Sequence, residues 1–142
     1  MAEQVSVFVE NKPGRLNAIT GVLRDHHINI RAMAIADHRD YGVVKLLVND
    51  PRMAHLVLAE HGFATALKPI LAFSIEDRPG GLHELLEILS QHQINVLDAY
   101  GFVVAAQQRA IWCMEFADPT AAVQLATTHG LHLMEDSELY QL

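Results

Sequence analysis

Cysteine, positive charge and long apolar runs are all scarce in this sequence. The single cysteine, Cys113, excludes an intrachain disulfide framework and fits a reducing compartment. Ten lysines and arginines, scattered along the chain, stand against seventeen acidic residues, so no basic stripe is available to track nucleic acid phosphates. No apolar run approaches the length of a membrane span, and the first residues lack a signal-peptide pattern. We therefore expect a cytoplasmic protein that binds neither nucleic acid nor membranes.

Activated nucleophiles and metal-ligand spacings are missing as well. Cys113 alternates with apolar neighbours, which indicates a buried strand position, and no local motif would present it as a thiolate. The nine histidines show no metal-ligand spacing. His61 and His129 instead precede glycines at expected helix ends, where the helix dipole favours them. The sequence thus predicts no catalytic residue, no metal site and no cofactor.

What the chain does contain is one pattern that occurs twice. ENKPGRL at residues 10–16 returns as EDRPGGL at residues 76–82, a spacing of 66 residues. Farther along, Asp50-Pro51 returns as Asp118-Pro119 at a spacing of 68 residues. The second copy therefore carries a two-residue insertion, which we place between its second and third strands.

Each copy has the element order βαββαβ. Apolar residues alternate before each Pro-Gly and follow helical spacing after it, and Asp50 and Asp118 are suited to cap the second helices. Pro13 and Pro79 suit the first helical turn, where a missing N–H costs nothing. We predict an α+β fold of two ferredoxin-like units, residues 1–68 and 69–142, each a four-stranded antiparallel sheet with two helices on one face. Right-handed crossovers place the first and third strands of each unit in the centre.

The Pro-Gly motif also predicts a binding site. The first turn of a helix has N–H groups without intrahelical acceptors and about half a positive charge, which suits a carboxylate. Gly14 allows close approach to the backbone, and Asn11 can donate or accept a hydrogen bond. The alternative is that Pro-Gly only makes a tight turn, with Asn11 as its cap and Asn29 as a turn asparagine.

Two βαββαβ units, each with Pro-Gly-x-Leu after the first strand and Ile-Asn-Ile or Ile-Asn-Val at the second, resemble a tandem ACT domain protein. The resemblance covers essentially the whole chain and implies a freestanding regulatory protein that binds an amino acid between paired units and modulates a separate metabolic enzyme. Another possibility is a constitutive docking subunit similar to the small subunit of acetolactate synthase. The implied ligand-binding residues are Glu10, Asn11, Lys12, Pro13, Gly14, Arg15, Leu16, Asn29, Ile30, Asp77, Arg78, Pro79, Gly80, Gly81, Leu82 and Asn95.

The two copies differ at their predicted sites. Asp77 replaces Asn11 and Gly81 replaces Arg15, so the second site loses a cation and gains an anion, and we expect the first copy to hold the principal site. We also expect the sheet face opposite the helices to be covered, and a homodimer is the preferred explanation. The residues assigned to that face are Phe8, Met33, Ile35, Val43, Leu47, Ile111 and Cys113.

Overall fold

The computed structural model describes all residues, 1–142, in six strands and five helices. None of these helices has the length and apolar character needed to cross a membrane. The elements are β1 (Ala2–Glu10), α1 (Arg15–Asp25), β2 (Ile30–Asp37), β3 (Tyr41–Val48), α2 (Pro51–Glu60), β4 (Ala64–Ile75), α3 (Gly81–Gln91), β5 (Val96–Ala105), β6 (Arg109–Phe116), α4 (Pro119–Thr128) and α5 (Asp136–Tyr140).

The N-terminal unit comprises Glu3–Lys68 together with Ser137–Leu142. β1 pairs antiparallel with β3, and β2 pairs with the other edge of β3. Alternate side chains of the strands pack against the apolar stripes of α1 and α2, and each fully buried aliphatic side chain stabilises the fold by about 1.5–3 kcal/mol. The buried cluster consists of Val5, Val7, Ile19, Val22, Leu23, Ile28, Val44, Leu46, Val48, Ala54, Val57 and Leu58.

The short helix α5 belongs to this N-terminal unit. The Tyr140 hydroxyl accepts the N–H of Glu3 at 2.8 Å, and the Tyr140 carbonyl accepts from Nε of Arg31 at 3.1 Å. Leu139 is fully buried. Residues Ser137–Leu142 therefore pack with the N-terminal unit, whereas the prediction had placed them in the second unit, residues 69–142.

The C-terminal unit comprises Pro69–Asp136 together with Met1–Ala2. β4 pairs with β6, and β6 pairs with β5, all antiparallel. The buried cluster beneath α3 and α4 repeats that of the N-terminal unit and consists of Leu71, Phe73, Leu85, Leu89, Met114, Phe116, Ala122, Leu125 and Ala126.

The repeated βαββαβ order is confirmed, but the prediction of two four-stranded sheets is wrong. The strands form one six-stranded sheet in the order β2-β3-β1-β4-β6-β5. Two strands were predicted where the structure has the single strand β4: the last strand of the first copy and the first strand of the second. They are continuous because no turn sequence separates them. The last strand of the second copy is reduced to a bridge between Phe73 and Leu133.

The predicted caps of the second helices are confirmed. The Asp50 carboxylate accepts the N–H of Met53 at 3.0 Å, and the Asp118 carboxylate accepts the N–H of Ala121 at 3.1 Å. The two-residue insertion lengthens the hairpin strand β5 to ten residues, whereas its counterpart β2 has eight.

A β-bulge in β2 places two residues on the sheet face opposite to the predicted one. The register shifts between Ile30 and Ala32, so that Met33 lies opposite Leu46 and Ile35 lies opposite Val44. Directly paired residues share a sheet face, so Met33 and Ile35 lie on the helix face. Their assignment to the opposite face was wrong because the extra residue inverts the alternation. On that opposite face Leu47, Ile111 and Cys113 are buried within the single chain.

Candidate functional site

The first Pro-Gly motif folds as a tight turn between β1 and α1. The N–H of Arg15 donates to the carbonyl of Lys12 at 3.3 Å, and Gly14 has φ 87° and ψ −10°. Proline followed by a residue of positive φ, closed by this bond, has the geometry of a type II turn. The prediction that Pro13 lies in the first helical turn is therefore wrong, because the turn places both Pro13 and Gly14 before the helix.

Gly14 leaves the first turn of α1 open to a ligand. It is the N-cap residue, and no side chain accepts a hydrogen bond from the N–H groups of this turn. The N–H of Ala18 reaches the Gly14 carbonyl at 2.9 Å, so the N–H groups of Leu16 and Asn17 remain available for an external acceptor. The helix dipole adds about half a positive charge at this end.

A cavity of about 220 Å³ lies against this turn, and we refer to it as the N-terminal cavity. It brings the seven predicted residues 10–16 together with four that the sequence analysis missed. The full lining is Val9, Glu10, Asn11, Lys12, Pro13, Gly14, Arg15, Leu16, Ile35, Gly42 and Val44. The polar turn thus forms one side of the cavity, while β1, β2 and β3 supply apolar residues.

The charges beside the N-terminal cavity leave one cation without an ion pair. Nζ of Lys12 lies 2.7 Å from a Glu10 carboxylate oxygen. This hydrogen bond and the Lys12 charge lower the pKa of Glu10, and Arg15 lowers it further. Asn11 donates through Nδ2 to Asp37 at 3.0 Å. Arg15 itself forms no ion pair, so its charge is available to an incoming anion.

The second motif has nearly the same backbone. The N–H of Gly81 donates to the carbonyl of Arg78 at 3.1 Å, and Gly80 has φ 84° and ψ −8°. Pro79 therefore also precedes its helix, and its prediction as a first-turn residue is wrong for the same reason as that of Pro13. The two copies thus present helix N-termini of matching geometry.

The charges at the second turn are arranged differently. The Arg78 guanidinium donates to Glu76 at 2.9 Å and to Glu84 at 2.6 Å. These bonds raise the pKa of Arg78, that to Glu84 most strongly. The Asp77 carboxylate accepts the N–H of Gln107 in the β5–β6 hairpin at 2.7 Å. One cation and three carboxylates therefore surround this turn, and the cation is already shared between two of them.

The C-terminal cavity, of about 170 Å³, occupies the equivalent place in its unit. Its lining residues are Ile75, Glu76, Asp77, Arg78, Leu82, Gly101, Phe102, Val103, Ala110 and Trp112. Trp112 lies opposite Gly101, where the first copy pairs Val44 with Ile35. A Cβ atom on Gly101 would lie 2.6 Å from the Trp112 ring, so the indole fills the space of the missing side chain. Pro79, Gly80 and Gly81 are in the turn but do not line this cavity.

The cavity residues on β2 and β5 were missed because a bulge decides which side of these two strands faces the helix. Ile35 is on the cavity side only after the register shift in β2, and Gly101 only after the corresponding shift in β5. A period-two pattern assigns the opposite face. The usable signal was the comparison of the two copies, because a glycine at the position of Ile35 and the only tryptophan at the position of Val44 indicate an exchange of volume between neighbours.

Asn29 and Ile30 lie away from the N-terminal cavity. β1 and β2 both run antiparallel to β3, so the start of β2 lies at the end of the sheet opposite Glu10. The N–H of Asn29 donates to the side chain of Asn49 at 2.9 Å. Asn95, its counterpart, lies beside a separate open depression between α3 and the start of β5. The role that the family resemblance implies for these residues, toward a ligand on a neighbouring unit, stays a prediction.

The cysteine and the histidines at the helix ends make contacts that belong to the fold. Cys113 is buried as predicted, and burial raises its pKa to about 12, an effect that the hydrogen bond with Tyr100 only partly offsets. Nδ1 of His61 lies 2.8 Å from the Val57 carbonyl and caps its helix end as expected. Nδ1 of His92 has the same relation to Ile88 at 3.0 Å.

Known structures resemble this chain along most or nearly all of its length. Protein BT0572 from Bacteroides thetaiotaomicron is 30% identical, and the match covers 99% of this chain and 96% of that one with a TM-score of 0.93. The ligand-free regulatory subunit of aspartate kinase from Thermus thermophilus is 15% identical over 89% of this chain and 91% of its own, with a TM-score of 0.65. The corresponding subunit from Thermus flavus is 16% identical over 90% of each chain, with a TM-score of 0.59. These two subunits share the fold.

No curated protein matches the sequence. The family described as an ACT domain pair matches residues 1–142. A pair of domains agrees with the repeated βαββαβ unit of the chain. The chain therefore belongs to the ACT domain pair family.

Proposed function

We propose that this protein is a non-catalytic regulatory protein that binds an amino acid in its N-terminal cavity. The observation that carries the proposal is the cavity against an uncapped helix N-terminus, next to Arg15, whose guanidinium forms no ion pair. An α-carboxylate placed there would accept N–H bonds from the first turn of α1 and gain from the helix dipole. Arg15 would add a second, mobile charge.

The rest of the cavity suits the other groups of an amino acid. The Asn11 amide nitrogen is engaged by Asp37, which leaves its carbonyl oxygen to accept a bond from the α-ammonium group. Leu16, Ile35 and Val44 form apolar walls for a side chain. The two regulatory subunits of aspartate kinase among the structural neighbours support a role beside a separate metabolic enzyme.

We further propose that the protein acts as a homodimer, and sedimentation as a monomer at micromolar concentration would refute the dimer.

Thermal unfolding in the presence of each of the twenty standard L-amino acids tests the proposal. A ligand at a hundred times its dissociation constant adds about 2.7 kcal/mol to the folded state, which should raise Tm by about 5 to 10 °C. At millimolar concentrations we expect one or a few amino acids to do so. If none does, a constitutive docking subunit becomes the better account.

A pair of variants on α1 locates the binding. Arg15→Gln should weaken binding of the stabilising amino acid about three- to tenfold, because it removes the unpaired charge at the cavity. Arg24→Gln removes a cation from the other end of the same helix, where Arg24 pairs with Asp25, and should leave affinity unchanged within about twofold. Equal effects of the two substitutions, measured by calorimetry, would argue against this cavity.

A further inference from the structure

The two helix N-termini differ in whether the chain supplies an anion of its own. α3 carries Glu84 in its first turn, whereas α1 has no acidic residue there. The position equivalent to Glu84 in the first copy is Ala18. A carboxylate in the first turn interacts favourably with the helix dipole, so the second copy already satisfies part of the field that an external carboxylate would use.

Arg78 holds this carboxylate in place. Its Nη2 donates to Glu84 at 2.6 Å, its Nε donates to Glu76 at 2.9 Å, and its Nη1 lies 3.4 Å from the Pro79 carbonyl. The guanidinium therefore spans the turn and ties the end of β4 to the first turn of α3. In the first copy Lys12 binds Glu10 alone, and nothing ties it to the helix.

Two further differences between the copies also disfavour an external carboxylate at the second turn. Asp77 places a negative charge at the C-terminal cavity, where the N-terminal cavity has the neutral Asn11. No cation can stand at Gly81 in place of Arg15, because a Cβ atom there would lie 2.6 Å from the Glu76 carbonyl oxygen. An incoming carboxylate would thus meet like charges and no available cation.

We infer that Glu84, held by Arg78, excludes an external α-carboxylate from the first turn of α3 beside the C-terminal cavity, so that the chain binds one amino acid and binds it in the N-terminal cavity. This inference rests on the proposed function. It adds the number of amino acids that one chain binds and the residues that determine this number. Arg78 is a positioning residue, and Glu84 acts as the competitor within the chain. The same backbone turn thus lies beside a cation without an ion pair in one copy and beside a carboxylate of the chain itself in the other.

Exchanging the relevant residues between the copies tests the inference. The probes are the twenty standard L-amino acids, titrated one at a time by calorimetry while the fluorescence of Trp112 is followed. Trp112 is the only tryptophan and lines only the C-terminal cavity of the two. The wild-type chain should take up one equivalent without a change in emission.

Ala18→Glu should raise the dissociation constant at least about tenfold, which corresponds to 1.4 kcal/mol. Ala18→Gln, of the same size but without charge, should change it less than about threefold. The double variant Asp77→Asn with Glu84→Gln should take up a second equivalent, and Trp112 emission should then respond. Melting curves of all variants are to be recorded as the control for folding.

Several results would overturn the inference while leaving the proposed function intact. They are two equivalents bound by the wild-type chain, equal effects of Ala18→Glu and Ala18→Gln, or a double variant that still binds one equivalent. A wild-type chain that binds none of the twenty probes would refute the proposed function and the inference with it.

Discussion

The two Pro-Gly turns share their backbone but differ in their electrostatics. Gly14 and Gly80 have φ angles of 87° and 84° and close equivalent turns. The first turn has an arginine that forms no ion pair, whereas the second has its only cation bound to two carboxylates. Backbone conformation is thus fixed by the Pro-Gly pair, and the capacity to bind an anion is fixed by the residues around it. A repeated motif therefore shows a repeated structure without showing a repeated site.

The largest expected effect concerns the cross-strand pair that distinguishes the cavities. Gly101→Ile should destabilise the fold by about 3 kcal/mol, because even a Cβ atom at this position would lie 2.6 Å from the Trp112 ring. Adding Trp112→Val recreates the pair found in the first copy and should restore most of the loss. Urea unfolding of the two variants measures the difference. A Gly101→Ile protein as stable as wild type would show that the two residues do not share one space.

Gly81→Ala should cost about 2 kcal/mol, because its Cβ atom would lie 2.6 Å from the backbone oxygen of Glu76. The matched change in the first copy, Arg15→Ala, removes an exposed side chain and should alter the unfolding free energy by less than about 0.5 kcal/mol. Equal costs would contradict the claim that only the first copy has room for a cation at this position.

Gly14→Ala and Gly80→Ala should each cost about 1 kcal/mol. Both residues have positive φ, which is unfavourable for L-residues that carry a Cβ atom. Open space surrounds the Cβ position of Gly14, so its cost is conformational. The two costs should agree closely in chemical denaturation, and a marked difference would show that the turns are not equivalent.

The smallest effect is the response of the first turn to acid. Lys12 lowers the pKa of Glu10 in the folded protein, so this pair contributes stability above the unfolded value of about 4.5 and loses it as pH falls through the lower, folded value. Glu10→Gln should slightly flatten the decline of Tm below about pH 5. A steeper decline in the variant would contradict the sign. The raised pKa of Arg78 keeps this guanidinium charged throughout the same pH range. Titration of Arg78 should therefore contribute nothing to the decline of Tm.

Much of the fold was predictable from sequence because its signals are local. Period-two alternation before Pro-Gly and helical spacing after it gave the βαββαβ order, and Asp-Pro pairs gave the starts of α2 and α4. The number of sheets was not predictable in the same way. Whether Ala64–Ile75 forms one strand or two depends on pairing along its whole length, and Pro69 alone did not interrupt it.

The cavities were predictable only on their turn side. Residues 10–16 are contiguous, so their proximity follows from the chain itself. Ile35 and Gly101 face the cavities only because of the register shifts at the starts of β2 and β5, which reverse the expected faces of these two strands. The pairing of Arg78 with Glu84 depends on side-chain reach over the turn, which spacing alone did not reveal.

Backbone amide NMR of the wild-type chain during titration with the stabilising amino acid tests the central claim most directly. The amides of residues 14–17 should shift in proportion to occupancy, because the first turn of α1 donates to the bound carboxylate. The amides of residues 80–83 should remain in place. Shifts of residues 80–83 equal to those of residues 14–17 would contradict the account, since they would show that the turn beside Glu84 binds the amino acid as well as the turn beside Arg15 does.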